Sequence, residues 1–367
     1  MTKPPFRAEH VGSLLRPKEL TTAFRQHNAG EINGDSFREI QDTAIAHVVA
    51  RQQDAGLGVV TDGEFRRGSY WGHVIGPVSG LSVREAEFKF HDDHGHEQSF
   101  IAAHVDGKVV RDRGFSTNEF AYLKSVATAL PKITMPSLPT FHFYRPVGGI
   151  DKSVYDTPRE FFADFAEAFR QEIAELAALG ATYIQMDEVP LAMLCDPDIR
   201  AQVKAGGAEP DELIDIYIDA INDAVGSRPA GMTCGLHLCR GNFKGQYLSQ
   251  GGYEPVAERL FNDLQVDAFF LEYDTERAGD FTPLRLVPDD KHVVLGIVSS
   301  KLAELEPVDD LARRIDAAAK YVPLDRLSMS PQCGFASAVS GNPITADVQQ
   351  AKLSRIVETA MEVWGEV

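Results

Sequence analysis

The chain has 367 residues, of which 44% are hydrophobic and 25% charged, the make-up of a globular protein with apolar material for a large core. Lys and Arg number 36 against 54 Asp and Glu, and the net charge of −18 argues against nucleic acid or an anionic membrane surface as partner. The opening MTKPPFRAEHVGSLL lacks the apolar stretch of a signal peptide, runs such as HVVLGIV (292–298) are too short to span a bilayer, and four cysteines do not make a disulfide scaffold in so long a chain; a cytoplasmic setting is expected.

In chain order, an apolar run at 8–13 (AEHVGS) precedes a helical pattern over 35–55 that stops at Gly56. A second run, 58–62 (GVVTD), leads to a polar stretch at 80–115 that reads as a β-hairpin insertion between strands two and three. His91, His94 and His96 within it have a metal-like look, but their charged, Gly-containing surroundings read as a solvated loop. The third run is 132–137. A helix over 157–179 then opens on TPRE, with Thr157 as N-cap, Pro158 at the first position and Glu160 closing a capping box, and Gly180 ends it. A strand at 182–187 is followed by a helix at 210–225, opened by Pro210 and closed by Gly226. Strands at 232–239, 267–272, 292–299 and 327–333 alternate with helices near 253–264, 308–320 and 344–363.

Eight apolar runs, mostly followed by helices, predict one TIM (β/α)8 barrel over 1–367, with the insertion at 80–115 inside it. A doubly wound open sheet is the alternative, but no Gly-rich dinucleotide fingerprint or P-loop follows an early strand.

In a barrel of this kind the chemistry lies at the C-terminal ends of the strands. The predicted strands end in Gly12-Ser13, TDGE (61–64), Ser137, Asp187-Glu188, His237 with Cys239, Glu272, Ser299-Ser300 and Cys333. His237, Cys239, Glu272 and Cys333 form a set of the ligand types that zinc takes in tetrahedral geometry. Strand alternation puts Cys234 on the opposite face from His237 and Cys239, and Cys195 lies past the fourth strand; both read as small buried hydrophobes. Two thiolates and a carboxylate make an electron-rich zinc, a weak Lewis acid suited to holding a substrate thiol as thiolate. A free thiol has a pKa of about 8.5, and metal ligation deprotonates it. If a substrate sulfur displaced Glu272, it would be ready to attack an electrophilic carbon: S-alkylation rather than hydrolysis.

VGS (11–13), TDGE (61–64), QMDE (185–188), HLC (237–239), Glu272 in FFLEYD and SPQCG (330–334), in this order, resemble the C-terminal catalytic barrel of cobalamin-independent methionine synthase, in a short single-barrel form. The resemblance covers almost the whole chain. It implies a zinc-dependent methyltransferase that activates homocysteine and makes methionine, with Zn²⁺ on His237, Cys239, Glu272 and Cys333. It also implies that the backbone of Gly12 and Ser13 holds the amino-acid carboxylate. Glu64 and Asp187 would hold its ammonium, and Glu272, Asp187 and Glu64 would be the residues of the reaction.

Two departures bear on the methyl donor. The N-terminal barrel of the long synthases has no counterpart in these residues, and the His that the family places after strand seven is replaced by LGIVSSK (295–301), with Ser299, Ser300 and Lys301 nearby. The donor is either a methyltetrahydrofolate or a methylated corrinoid protein. Tyr70 and Trp71 would either stack on a flat donor or pack the barrel mouth. An epoxyalkane–coenzyme M transferase of the same superfamily is the second reading. Its sulfonate would need cations such as Arg66, Arg67 or Arg240, and the acidic pair would repel it. A non-catalytic zinc barrel that binds a partner protein is the third.

Overall fold

The computed structural model describes residues 6–92 and 94–367. Six parallel strands form the central sheet, in the order Leu327–Pro331, His292–Val298, Ala268–Glu272, Thr233–Leu238, Tyr183–Glu188, Ile133–Pro136. Every residue of these strands is buried, which is why they read as continuous apolar runs rather than as alternating ones. Their register is regular: Asp187 lies beside His237, Phe270 beside His237 from the other side, and Glu272 beside Gly296.

Both edges of the sheet are extended. Val59–Val60 pairs in parallel with Leu130–Pro131, just before Ile133–Pro136. At the other edge Ala8 bridges Met329 in parallel, the Glu9 N–H donating to the Met329 carbonyl at 2.9 Å. Thr61 Oγ1 donates to the Gly12 carbonyl at 2.7 Å and the Leu14 N–H to the Gly63 carbonyl at 3.1 Å, which ties the chain after Ala8 to the chain after Val59–Val60. The predicted runs 8–13 and 58–62 are therefore largely irregular, because Gly12, Asp62 and Gly63 turn the chain toward the site.

Helices cover the outside of the sheet. Pro158–Ala178 begins as its sequence dictates: the Glu160 N–H donates to Thr157 Oγ1 at 3.3 Å, while Glu160 Oε2 accepts from the Asp156 N–H at 3.1 Å. Pro210–Val225 stops at Gly226. Helices at Lys18–Asn28, Thr117–Val126 and Pro197–Ala205 were not anticipated. The Thr117–Val126 helix is capped from a distance, because Glu172 Oε1 accepts from the N–H groups of Phe115, Ser116 and Thr117 at 3.1, 2.6 and 3.1 Å. No local pattern could announce such a cap. Among the described residues no helix is long and apolar enough to cross a membrane.

The 80–115 stretch contains antiparallel pairing: Val78–Glu85 with Ile101–Arg111, and Phe90–His91 with Glu97–Gln98 between them. The longer ribbon shifts register between Ser79 and Leu81. There Gly80 has φ +80°, and a Cβ would lie 2.5 Å from the carbonyl oxygens of Gly107 and Lys108. This stretch is not wholly solvated, since Phe88, Phe90, Ala102, Ala103, Val105 and Val109 join the main core.

Candidate metal and thiol site

The C-terminal ends of the strands converge on one cavity of about 490 Å³. Thr233–Leu238 carries His237, and the next residue, Cys239, is held by its own N–H donating to the Glu188 carbonyl at 2.8 Å. Cys333 follows Leu327–Pro331, where the Gln332 N–H donates to the Val298 carbonyl at 2.8 Å. The ligand atoms of His237, Cys239 and Cys333 all lie within 4.8 Å of one another. The two sulfurs are 3.2 Å apart.

All three residues are buried, and neither ring nitrogen of His237 makes a hydrogen bond among the described residues. Burial alone would lower the His237 pKa, but Cys333, Asp187 and Glu272 outweigh it and raise it. Contact with Cys239 holds the Cys333 thiol well below its usual range, and the same contact, followed by burial, pushes Cys239 up. Two sulfurs and a free imidazole converging in a buried pocket suit a borderline divalent ion.

Glu272, at the end of Ala268–Glu272, stands beside this cluster and outside it. Its Oε1 accepts from Arg277 Nη2 at 3.2 Å and its Oε2 from the Arg240 N–H at 3.3 Å. Burial would raise its pKa, but Lys301, Arg240 and Arg277 outweigh burial and hold it below the usual carboxylate range.

Two carboxylates, Glu64 and Asp187, face the cavity. Glu64 sits at φ +61°, an uncommon conformation for a side chain of its size, in a turn where its N–H donates to Asp62 Oδ1 at 2.9 Å. Its Oε1 accepts from Thr134 Oγ1 at 2.9 Å and lies 3.6 Å from Arg67 Nη1, while Oε2 has no partner among the described residues. Asp187 Oδ1 accepts from Gln185 Nε2 at 2.7 Å. Burial raises the pKa of both, and Asp187, further raised by Glu64, reaches about 7. Each carboxylate would therefore be relieved by a cation arriving in the cavity.

Gly12 passes close above this pair. It has φ +139°, and a Cβ would lie 2.6 Å from Thr134 Cγ2 and 3.5 Å from Glu64 Oε1, so the backbone can approach the acids only as glycine. Ser13 lines the cavity, with its carbonyl accepting from the Phe335 N–H at 2.9 Å.

The family model described as the catalytic domain of cobalamin-independent synthase matches residues 6–360. The chain belongs to the cobalamin-independent methionine synthase family. That family is one of methyltransferases acting on homocysteine. The uncharacterized protein YxjG of Bacillus subtilis is 40% identical over 371 residues, covering 99% of this chain and 96% of the relative. The methionine synthase of Sulfolobus acidocaldarius is 27% identical, covering 89% and 84%. Among solved structures, a putative vitamin-B12-independent methionine synthase from Listeria monocytogenes aligns with TM-score 0.79 and 31% identity over 100% of both chains. A B12-independent methionine synthase from Shewanella sp. W3-18-1, solved in complex with selenomethionine, aligns with TM-score 0.74 and 19% identity over 98% of both chains; that likeness is one of fold. The fold is thus the α/β, TIM-barrel-like one of methionine synthase catalytic domains.

Within this synthase fold, the residues singled out in the sequence fall in different places. Ser13, Glu64, Asp187, His237, Cys239 and Cys333 all line the cavity, and Gly12 approaches it from behind Thr134. Among the described residues His91, His94 and His96 form no ligand cluster: His96 Nδ1 lies 2.8 Å from Asp92 Oδ2, and the His91 N–H donates to the Tyr247 carbonyl at 2.9 Å. Cys195 and Cys234 are buried apart from the cluster, and burial pushes both thiols up to about 12.

Tyr70 and Trp71 line the cavity and also pack its wall: Tyr70 Oη is 3.2 Å from Tyr144 Oη, and Trp71 meets Phe141 edge-on at 6.1 Å. The sequence reading missed the rest of that wall. Phe90, Phe100 and Ile101 from the ribbon, with Phe243 and Leu248, make the far side apolar. The aromatic spacing in EFKFHDDHGHEQSF was the available signal, obscured by the charges around it.

Proposed function

We propose that this protein is a zinc-dependent methyltransferase that converts homocysteine to methionine. The observation that carries the reading is the buried trio His237, Cys239 and Cys333, with Glu272 beside it, opening on the same cavity as the buried carboxylates Glu64 and Asp187. His237, Cys239 and Cys333 would hold Zn²⁺, with Glu272 as an exchangeable fourth ligand. The ion supplies the positive charge that keeps a thiol deprotonated at neutral pH. Glu64 and Asp187 bind the substrate ammonium, while the backbone at Gly12 and Ser13 receives its carboxylate. Together they aim the thiol at the metal, and the aromatic wall keeps water from the reacting sulfur.

The methyl donor we propose is a methyltetrahydrofolate or a methylated corrinoid protein reaching the mouth between Trp71 and the ribbon. The fold that accompanies this reading is a single eight-stranded barrel over 1–367, with the ribbon as an insertion between strands two and three. The Ala8–Met329 and Val59–Leu130 pairings at the two sheet edges support it. Four buried, unpaired cysteines support a cytoplasmic setting.

The alternative thiol, coenzyme M, is disfavoured by the charges. Arg67 is committed to Glu119 Oε2 at 2.6 Å and to the Thr134 carbonyl at 2.7 Å, Arg66 to Asp42, and Arg240 to Tyr253 Oη at 2.8 Å and the Gly251 carbonyl. None is left over for a sulfonate beside two acids. The deciding experiment is a spectrum of the cobalt-substituted protein titrated with homocysteine and, separately, with coenzyme M. A new sulfur-to-metal charge-transfer band with homocysteine alone supports the proposal. A band with coenzyme M alone selects the second thiol, and no change with either makes the site a closed, structural metal site in a binding protein.

A further inference from the structure

Glu272 is fully buried, and its contacts are cations and a backbone N–H. Arg277 Nη2 donates to Oε1 at 3.2 Å and the Arg240 N–H to Oε2 at 3.3 Å. Lys301 Nζ is buried, has no hydrogen-bond partner among the described residues, and is the largest of the charges acting on this carboxylate. Arg277 is itself held in place. Its guanidinium lies 4.3 Å from the Tyr247 ring centroid, and its carbonyl accepts from the Gly251 N–H at 2.9 Å. A buried carboxylate that leaves a metal without a waiting counter-charge is strongly disfavoured. Here the counter-charge is already built, within hydrogen-bond distance and adjacent to the ligand cluster.

Resting on the zinc and thiol reading above, we propose that Arg277 is a positioning residue that takes up the Glu272 carboxylate when a substrate thiol replaces it at the metal. Glu272 would be the exchangeable ligand, and off the metal its charge would be compensated by Arg277 and Lys301. A bound metal would supply the charge that holds a substrate thiol as thiolate, its proton leaving to solvent. Arg277 thus sets how hard Glu272 competes with the substrate. Without it the carboxylate has the metal as its best partner, so metal is held more tightly and thiol more weakly.

The test uses the full chain loaded with zinc or cobalt, as wild type, R277Q, R277K, E272Q and the E272Q/R277Q double variant. Zinc affinity is read by competition with a chromophoric chelator, and homocysteine affinity from the cobalt spectrum. R277Q is expected to hold zinc roughly tenfold more tightly and homocysteine roughly tenfold more weakly, a shift of about 1.4 kcal/mol in each equilibrium. R277K, which keeps the charge and loses the planar fork, should fall between R277Q and wild type. In the E272Q background R277Q should change neither affinity. Unchanged zinc and thiol affinities in R277Q overturn the proposal, and so does an R277Q effect of equal size in the E272Q background. If R277Q does not fold, R277K carries the test, and affinities identical to wild type overturn it. Failure of the wild type to retain zinc, or to respond to homocysteine, removes the underlying reading and this proposal with it.

Discussion

At the residue scale, the site works by leaving particular polar atoms without partners. Both nitrogens of His237 and Glu64 Oε2 are buried and unbonded among the described residues, and each has a proposed occupant: the metal for one, the substrate ammonium for the other. Cys333→Ser removes a thiolate donor from the trio. We expect purified protein to lose its bound zinc by elemental analysis, with the fold retained by circular dichroism; full zinc content in that variant would sink the metal assignment. Asp187→Asn is expected to raise the KM for homocysteine about tenfold, the usual cost of a lost charged contact. It should leave binding of the des-amino thiol analogue unchanged, because that analogue has no ammonium to lose. An equal loss for both thiols would place Asp187 outside substrate recognition.

At the scale of single elements, the ribbon and the helix beside it are fastened together by one carboxylate. Glu172, in the Pro158–Ala178 helix, accepts from three successive N–H groups at the start of Thr117–Val126 and from Arg111 Nε at 2.8 Å at the end of the ribbon. A buried carboxylate at a helix N-terminus satisfies orphan donors and faces the positive end of the dipole. Glu172→Ala leaves those buried N–H donors unpaired and Arg111 with Glu175 as its partner, and we predict a loss of about 3–5 kcal/mol in chemical denaturation. A loss below about 1 kcal/mol would mean that water replaces the carboxylate without difficulty. Because the ribbon supplies Phe90, Phe100 and Ile101 to the cavity wall, the same variant should also weaken donor binding. The ribbon illustrates what local pattern conceals. Its charges were legible and read as solvated, whereas its buried aromatics needed Phe143, Phe243 and Tyr144 to become visible as core.

At the scale of the whole molecule, stability should depend on pH through histidines buried in the neutral form. Burial pushes His142 down to about 4, where its Nδ1 lies 2.8 Å from Tyr217 Oη, and burial with nearby Lys132 pushes His10 down to about 3. Both folded-state values lie below the unfolded one of about 6.5, so between them the unfolded chain binds more protons. The contribution of these two histidines is therefore full above pH ~6.5 and lost as the pH falls through about 4. For His142 alone the loss amounts to roughly 3 kcal/mol. Between pH 7 and pH 4 the urea midpoint of the wild type should fall relative to that of His142→Gln. Parallel profiles would place the acid sensitivity elsewhere.

Much of this molecule was determined by the order of its residues alone. Fully buried parallel strands must read as apolar runs, helix ends must carry their caps and stops, and a strand that exits into His237-x-Cys239 or Glu272 brings its polar residue to one rim of the sheet. The alternation of a strand also sets Cys234 on the opposite face from Cys239. Only the tertiary structure could decide which of those rim residues meet. It brings Cys239 and Cys333 to 3.2 Å across 94 positions of sequence, sets Glu272 against Arg277, and folds the ribbon's aromatics over the cavity. Such contacts depend on how strands curve around a shared interior and on which buried charges find each other, distances that no local spacing encodes.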